Sequence, residues 1–318
     1  MHAAILKERL LQESRAMITL KAVRAAPFAL ATWAGLAGKD DEPTARILVY
    51  HGTPAREAAM LERQLRWLKR RFRIVPLRSL ASAAAGGAIG RMTALTFDDG
   101  LRNNVEVVYP ILRKLGIPAT FFVCPGLIDR GAWLWTHEVR RRFSRLSPDA
   151  RAELVGEWGA PSQADPLVEW MKGLKLAARE RVEARLAEAT PDFEPTAEER
   201  EQFDLAGWDE LQALDPAIVT IGSHTLTHPI LPRTPAAEIE IEVRDSRRRL
   251  EERLERPIEY FAYPNGDLDA VSEAAVRRYY RGAVTAEHGL VRRGTDEQLL
   301  PRLVAPQGVL RLARRLYA

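Results

Sequence analysis

Short apolar runs alternate with longer segments of helical periodicity along most of the chain. The runs at 46–50 (RILVY), 93–97 (TALTF), 119–123 (ATFFV), 218–221 (IVTI), 260–263 (YFAY), 282–285 (GAVT) and 299–304 (LLPRLV) are hydrophobic nearly throughout. A strand with one wet face alternates; a continuous run means that both faces are covered, as in a parallel sheet with helices outside it. Helical patterns fill 55–71, 104–115, 235–254 and 270–280. In the third of these, Ile239, Val243, Leu250 and Leu254 form one stripe with Glu and Arg opposite, the pattern of an outer helix. Seven such units around one axis predict an α/β fold, a distorted (β/α)7 TIM-like barrel one unit short of eight.

Residues 137–200 break this rhythm. They are charged and helix-forming and carry Trp158, Trp170 and Met171 without any strand signal, which predicts a helical insertion between the third and fourth strands. On a barrel, a segment inserted after a strand sits over the C-terminal mouth, so it is either a wall or lid of a groove or a space-filling helical subdomain. Residues 81–90 (ASAAAGGAIG) read as a flexible small-residue loop.

The barrel domain is expected over 44–305, after an N-terminal helical segment (1–43) and before a basic tail (306–318). Within the N-terminal segment, 25–37 is apolar behind Lys21 and Arg24. That outline is signal-like but lies too far from Met1, behind the charged stretch 7–15, so the expected location is cytoplasmic. Export or membrane attachment through residues 17–38 is the alternative.

Charge and cysteine content narrow the chemistry. The 47 basic and 43 acidic residues are interleaved and leave a net charge of only +4, so nucleic acid is not an expected partner. The basic 311–317 (RLARRLY) reads as a solvated helix face, with peripheral membrane association as the other reading. One cysteine, Cys124, excludes an internal disulfide and any cysteine-rich zinc module, so a bound metal would have to use His, Asp or Glu.

Polar clusters occur where the strands end, and in a βα barrel those ends converge on one pocket. The first strand ends in Tyr50-His51, the second in Asp98-Asp99-Gly100, the fourth in Ser223-His224 with His228 four residues on, and the fifth in Tyr263-Pro264-Asn265-Gly266. Two adjacent carboxylates at an apolar strand end repel each other unless a cation or proton offsets them. Two histidines four apart can face one ion, and with one Asp they make three N/O ligands that leave positions open for water, as in a catalytic zinc-type site. If Asp99 is a ligand, Asp98 is free to act as a general base. Alone, the histidine spacing is weak, and the DDG triplet could be a turn in which Asp caps the next helix. Their joint placement at strand ends favours the metal.

The motifs TFDDG (96–100), SHTLTH (223–228) and FAYPNG (261–266) resemble, in order and spacing, the three leading motifs of the polysaccharide deacetylase family, the NodB-homology domain of carbohydrate esterase family 4. The resemblance covers about residues 44–305 and includes a seven-stranded distorted barrel. It implies a metal-dependent deacetylase acting on N-acetylated sugars of a polysaccharide or glycan intermediate. Asp98 would be the catalytic base and Asp99, His224 and His228 the ligands of one divalent ion, zinc first, with cobalt, manganese or nickel as alternatives. The third motif, with Tyr263, Pro264 and Asn265, would bind substrate and supply a backbone N–H near Asn265 to the oxyanion.

Departures from the better-known pattern leave one role open. Many members of the family carry Arg where this chain has Ala262 and Tyr where it has Asn265, and the usual late Leu-x-x-His, source of the general acid, is missing. His51 and His288 are the candidates for that acid, while His137 lies in the insertion. Trp133, Trp135 and Trp208 flank the expected mouth, either as sugar-stacking platforms or as packed core. A non-catalytic carbohydrate-binding relative is the alternative function, and retention of all four Asp/His positions argues against it.

Overall fold

The computed structural model describes residues 44–87 and 89–317. All seven expected strands form: β1 Arg46–Tyr50, β3 Met92–Phe97, β4 Ala119–Val123, β5 Val219–Ser223, β6 Tyr260–Ala262, β7 Gly282–His288 and β8 Leu300–Val304. An eighth, β2 (Arg73–Ile74), was not legible, because two residues are too few to show a period. Every pairing is parallel. β1 runs beside β3 from Arg46↔Thr93 to Tyr50↔Phe97 and also pairs β8 at Leu48↔Leu303, which closes the sheet. The closed circuit is β1-β3-β4-β5-β6-β7-β8, a seven-stranded barrel. β2 pairs the beginning of β3, and β4 pairs its end. The β5–β6 junction is thin, resting on the single pair Ser223↔Phe261.

Continuous apolar strands are explained by burial on both sides: β1, β3 and β4 are buried at every position. Helices lie where the periodicity puts them, with Ala58–Lys69, Tyr109–Leu115, Ala236–Leu254 and Ala270–Tyr279 inside the four expected spans. Ile239, Val243, Leu250 and Leu254 are all buried on the long helix, joined by Ser246, whose hydroxyl meets Ser223 Oγ at 2.7 Å and Tyr280 Oη at 3.0 Å.

The expectation of a flexible loop at 81–90 needs correction, since Leu77–Gly86 is a helix. Its small residues pack rather than flex: Ala81 and Ala84 join Leu77, Leu80, Met92 and Ala94 in one buried cluster, and Gly87, at φ 77°, ends the helix in the left-handed conformation.

Between β4 and β5 the chain forms the helices Pro125–Arg130, Trp135–Arg145, Pro148–Trp158, Ala164–Lys172, Leu176–Glu188, Ala197–Phe203 and Trp208–Gln212, and no strand. These helices have their own apolar centre, in which Trp135, Val139, Phe143, Leu154, Leu167, Met171 and Leu186 are buried.

The described residues from 44 to 304 belong to one compact unit. Outside it, Val309–Tyr317 is an amphipathic helix that buries Leu312, Ala313 and Leu316 and exposes Arg311, Arg314 and Arg315, as a solvated basic face requires. No helix among the described residues is long and apolar enough to cross a membrane. The segment 1–43, including 17–38, lies outside the described residues.

Candidate metal centre and active-site cavity

The strand ends converge as expected on a cavity of about 390 Å³. Val49 and His51 (β1), Asp98 and Asp99 (after β3), His224 and His228 (after β5), Tyr263, Asn265 and Gly266 (after β6), Ala286 (β7) and Arg302 and Val304 (β8) line it. The backbone is strained to bring them there. Among described non-glycine residues only five have positive φ, and four of them, Asp99 (76°), Thr225 (67°), His228 (60°) and Asn265 (57°), lie in the three motifs. Left-handed backbone costs a non-glycine residue free energy and persists only where its surroundings over-determine it. The adjoining glycine of the third motif is required on two counts: Gly266 has φ 78°, and a Cβ there would stand 2.1 Å from Ala286 Cβ.

Asp99, His224 and His228 form the only group of three His, Cys, Asp or Glu side chains among the described residues whose ligand atoms all lie within 4.8 Å of one another. Asp99 Oδ1 is 3.7 Å from His224 Nε2 and 3.6 Å from His228 Nε2, too long for hydrogen bonds and suited to groups that share an ion. Ala262 O holds His224 Nδ1 at 2.7 Å, which directs the opposite nitrogen, Nε2, at the shared point. Burial, reinforced by the neighbouring His224 and only partly opposed by Asp99, drives the His228 pKa down to about 3. Its imidazole is therefore neutral at physiological pH, the form that ligates a metal. The second-motif loop is clamped from several sides: Cys124 Sγ donates to His224 O, Trp135 Nε1 to His228 O, and Thr227 N and Oγ1 to the Glu242 carboxylate. The donor set and its fixed spacing fit a divalent ion.

Asp98 faces a different partner. Arg302 grips it with Nη1 on Oδ1 and Nη2 on Oδ2, both at 2.8 Å, while its Nε donates to Thr285 O. Burial alone would raise the Asp98 pKa; Arg302, aided by His224, outweighs it and brings the value down to about 2. Sequence reading noted that the third motif has Ala262 where relatives carry Arg, but assigned no replacement. Arg302 occupies that electrostatic place from β8, 204 positions along the chain from Asp98. The available signal was an arginine inside the apolar run LLPRLV, which must have a buried partner.

The two acid candidates separate. His51 lines the cavity, and its charge would favour the ionised forms of both Asp98 and Asp99. β7 runs three residues beyond its expected end, so His288 is its last residue, solvent-exposed and outside the cavity lining. His137 is in the lining, stacked on Phe203 with ring centroids 4.5 Å apart. Its Nε2 is enclosed without a hydrogen-bond partner, and burial lowers its pKa to about 4.

In the third motif, Tyr263 and Asn265 reach the cavity, whereas Pro264 is buried behind them. The tryptophans are not platforms in its wall. Trp133 packs edge-on against Phe193 and Phe203, Trp135 is buried, and Trp208 bonds Asp129 beneath Arg253. The insertion does wall the cavity, through Leu134, Thr136, His137, Arg140 and Lys172.

Comparison with known proteins agrees with this geometry. The family model described as polysaccharide deacetylase matches residues 86–281, more than half of the chain. A Streptococcus pyogenes deacetylase solved with acetate is 16% identical, with 86% of this chain and 98% of that one covered at a TM-score of 0.58. IcaB from Ammonifex degensii (18% identity; 87% and 98% covered) gives 0.57. The protein BA0330 of Bacillus anthracis (17%; 87% and 70%) gives 0.56. At these identities the likeness is one of fold. No curated protein matches.

Proposed function

The chain belongs to the polysaccharide deacetylase family and is a carbohydrate deacetylase of that family's hydrolytic class, and from this premise we propose that it removes acetyl groups from N-acetylated sugars with the help of one divalent metal ion. The observation that carries the reading is the convergence of Asp99, His224 and His228 beside a second carboxylate, Asp98, which is not a member of that triad. A divalent ion there, zinc in the first instance, would acidify water and polarise the acetyl carbonyl.

The remaining work falls to the chain. Asp98 accepts the proton of the attacking water while Arg302, holding both of its oxygens, keeps the carboxylate ionised and correctly turned. Two oxygens offer about four lone-pair sites, so Arg302 leaves room for the water. The new C–O bond makes a tetrahedral oxyanion, which the backbone N–H of Asn265 helps to hold. When the C–N bond breaks, the amine nitrogen takes a proton, because an amide anion is a very poor leaving group. His51 is the histidine placed to deliver it, at the cavity wall, in preference to His288, which lies outside the lining.

The test is direct. Protein loaded with zinc should hold about one ion per chain and release acetate from an N-acetylglucosamine oligomer. The His224→Ala, His228→Ala double variant should lose both properties. Metal held without any acetate release would point to a carbohydrate-binding relative instead, and stoichiometric metal in the double variant would sink the ligand assignment.

A further inference from the structure

The cavity wall contributed by the insertion carries positive charge that deacetylation itself does not use. Arg140 and Lys172 come from two different helices, Trp135–Arg145 and Ala164–Lys172, and both line the cavity. Their side chains are only 29% and 22% exposed, so the stems are packed. Each has a carboxylate partner, Arg140 Nε on Asp165 Oδ1 at 2.6 Å and Lys172 Nζ on Glu169 Oε1 at 2.8 Å. Those partners are 81% and 62% exposed and lie outside the cavity lining, and ion pairs with such exposed groups contribute little. Arg140 also gives Nη1 to Thr136 O, and among the described residues its Nη2 has no partner.

Nothing inside the cavity balances these cations. Its two lining carboxylates are committed, Asp98 to Arg302 and Asp99 to the ligand triad. The helix that carries Arg140 starts at the cavity with no side-chain cap, and its N-cap residue Leu134 and first-turn Thr136 are part of the wall. Its free N–H groups and positive dipole end add to the same field. A neutral N-acetylhexosamine chain offers such a wall only hydroxyls, which accept ordinary hydrogen bonds and leave the two positive charges unbalanced.

Building on the deacetylase reading above, we propose that the preferred substrate carries an anionic group, a phosphate or a carboxylate, close to the acetamido sugar, and that Arg140 and Lys172 recognise it. Charge-assisted bonds of this kind are stronger than those to hydroxyls, and a guanidinium matches either anion in two-pronged fashion. A cavity of about 390 Å³ has room for a sugar ring and such a group.

The experiment compares kcat/KM of the zinc-loaded protein on three substrates: neutral di-N-acetylchitobiose, N-acetylglucosamine 1-phosphate, and a disaccharide of N-acetylglucosamine with a uronic acid. At least one anionic substrate should be preferred by about tenfold or more, and the arm that wins identifies phosphate or carboxylate as the source. In the Arg140→Gln, Lys172→Gln double variant that preference ratio should collapse, with circular dichroism and zinc content verifying the fold; the single variants serve if the double does not fold. Equal kcat/KM on all three, or a preference that survives the double substitution, would overturn the proposal while leaving deacetylation intact. Calorimetric titration separates the two ideas. If no substrate yields acetate but N-acetylglucosamine 1-phosphate or the uronic acid disaccharide still binds tenfold tighter than the neutral sugar, and loses that advantage in the double variant, anion recognition stands and the hydrolase reading fails.

Discussion

The side chains of Asp98, Asp99, His224, His228 and Arg302, on the strand-end half of the cavity, are each at most 9% exposed, while those of Arg140 and Lys172, on the insertion half, are 29% and 22% exposed. The first group is held by buried bonds between distant parts of the chain, and its backbone is strained at Asp99 and His228. The second is tied to exposed carboxylates, Arg140 to Asp165 of the next helix and Lys172 to Glu169 of its own. A buried, strained constellation can be moved only by disturbing the barrel, whereas a half-exposed pair can be exchanged at little cost to stability. On the proposed reading, the chemistry belongs to the barrel and selectivity to the inserted helices. This separation lets one fold keep its reaction while its substrate changes.

The sharpest way to break that division is to attack the barrel half. Asp98→Asn preserves shape but cannot take the proton of water, so kcat should fall by a factor on the order of 100 to 10,000 with zinc content unchanged. Should the variant lose its metal instead, Asp98 would be a ligand and the roles of the two aspartates would have to be exchanged.

Arg302→Met is expected to come next, because it leaves the Asp98 charge buried without its partner. Loss of one member of a buried pair costs about 3–5 kcal/mol, to be read from denaturant midpoints. With Arg302 gone, burial acts on Asp98 unopposed by its main partner, so its pKa rises from about 2 and part of its capacity as a base is lost at neutral pH. Arg302→Lys should keep more stability than Met yet recover little kcat, since an ammonium cannot hold both oxygens at once. Equal activity in the Lys variant and the parent would reduce Arg302 to simple charge balance.

A third comparison sets the two histidines from the strand ends against each other. His51→Gln should depress amide hydrolysis at least tenfold more than hydrolysis of an aryl acetate, because a phenolate leaves without a proton. His288→Gln should alter neither, as its side chain lies in solvent outside the cavity lining. Uniform loss on both substrates in the His51 variant would remove it as the acid.

How far the sequence went is explained by how local each feature is. DDG and SHTLTH put their polar side chains within a few residues of each other at the ends of apolar runs, so both the barrel and the convergence of Asp99, His224 and His228 could be read from the chain alone. The Asp98–Arg302 pair joins positions 204 apart, and a single sequence carries no signal for such a pairing beyond the oddity of a charge in an apolar strand. Residues 81–90 misled for the opposite reason: alanine and glycine suggest freedom when read singly, but Ala81 and Ala84 let a helix approach the sheet closely and are buried. Arg140, Lys172 and His137 were hidden because the insertion's helical pattern does not say which face meets the barrel.

A small effect is expected at His137, the one imidazole on the insertion half. Burial holds its pKa near 4 in the folded protein, against an ordinary value of 6.5, so the ring is neutral at pH 7 and cannot set either limb of a pH–rate profile above pH 5. His137→Gln should therefore shift kcat less than about tenfold and leave the shape of the profile intact, whereas loss of the alkaline limb would place chemistry on the insertion and end the division. Stability supplies an independent reading. Because the folded pKa lies below the unfolded one, the unfolded chain binds the proton first, and stability falls as pH drops from 6.5 toward 4. Glutamine does not titrate, so the variant should lose less stability than the parent across that window, a difference that denaturant titrations at pH 7 and pH 4.5 would measure. An unchanged difference between parent and variant at the two pH values would mean that His137 titrates normally in the folded protein, and it would then be free to serve as a proton donor after all.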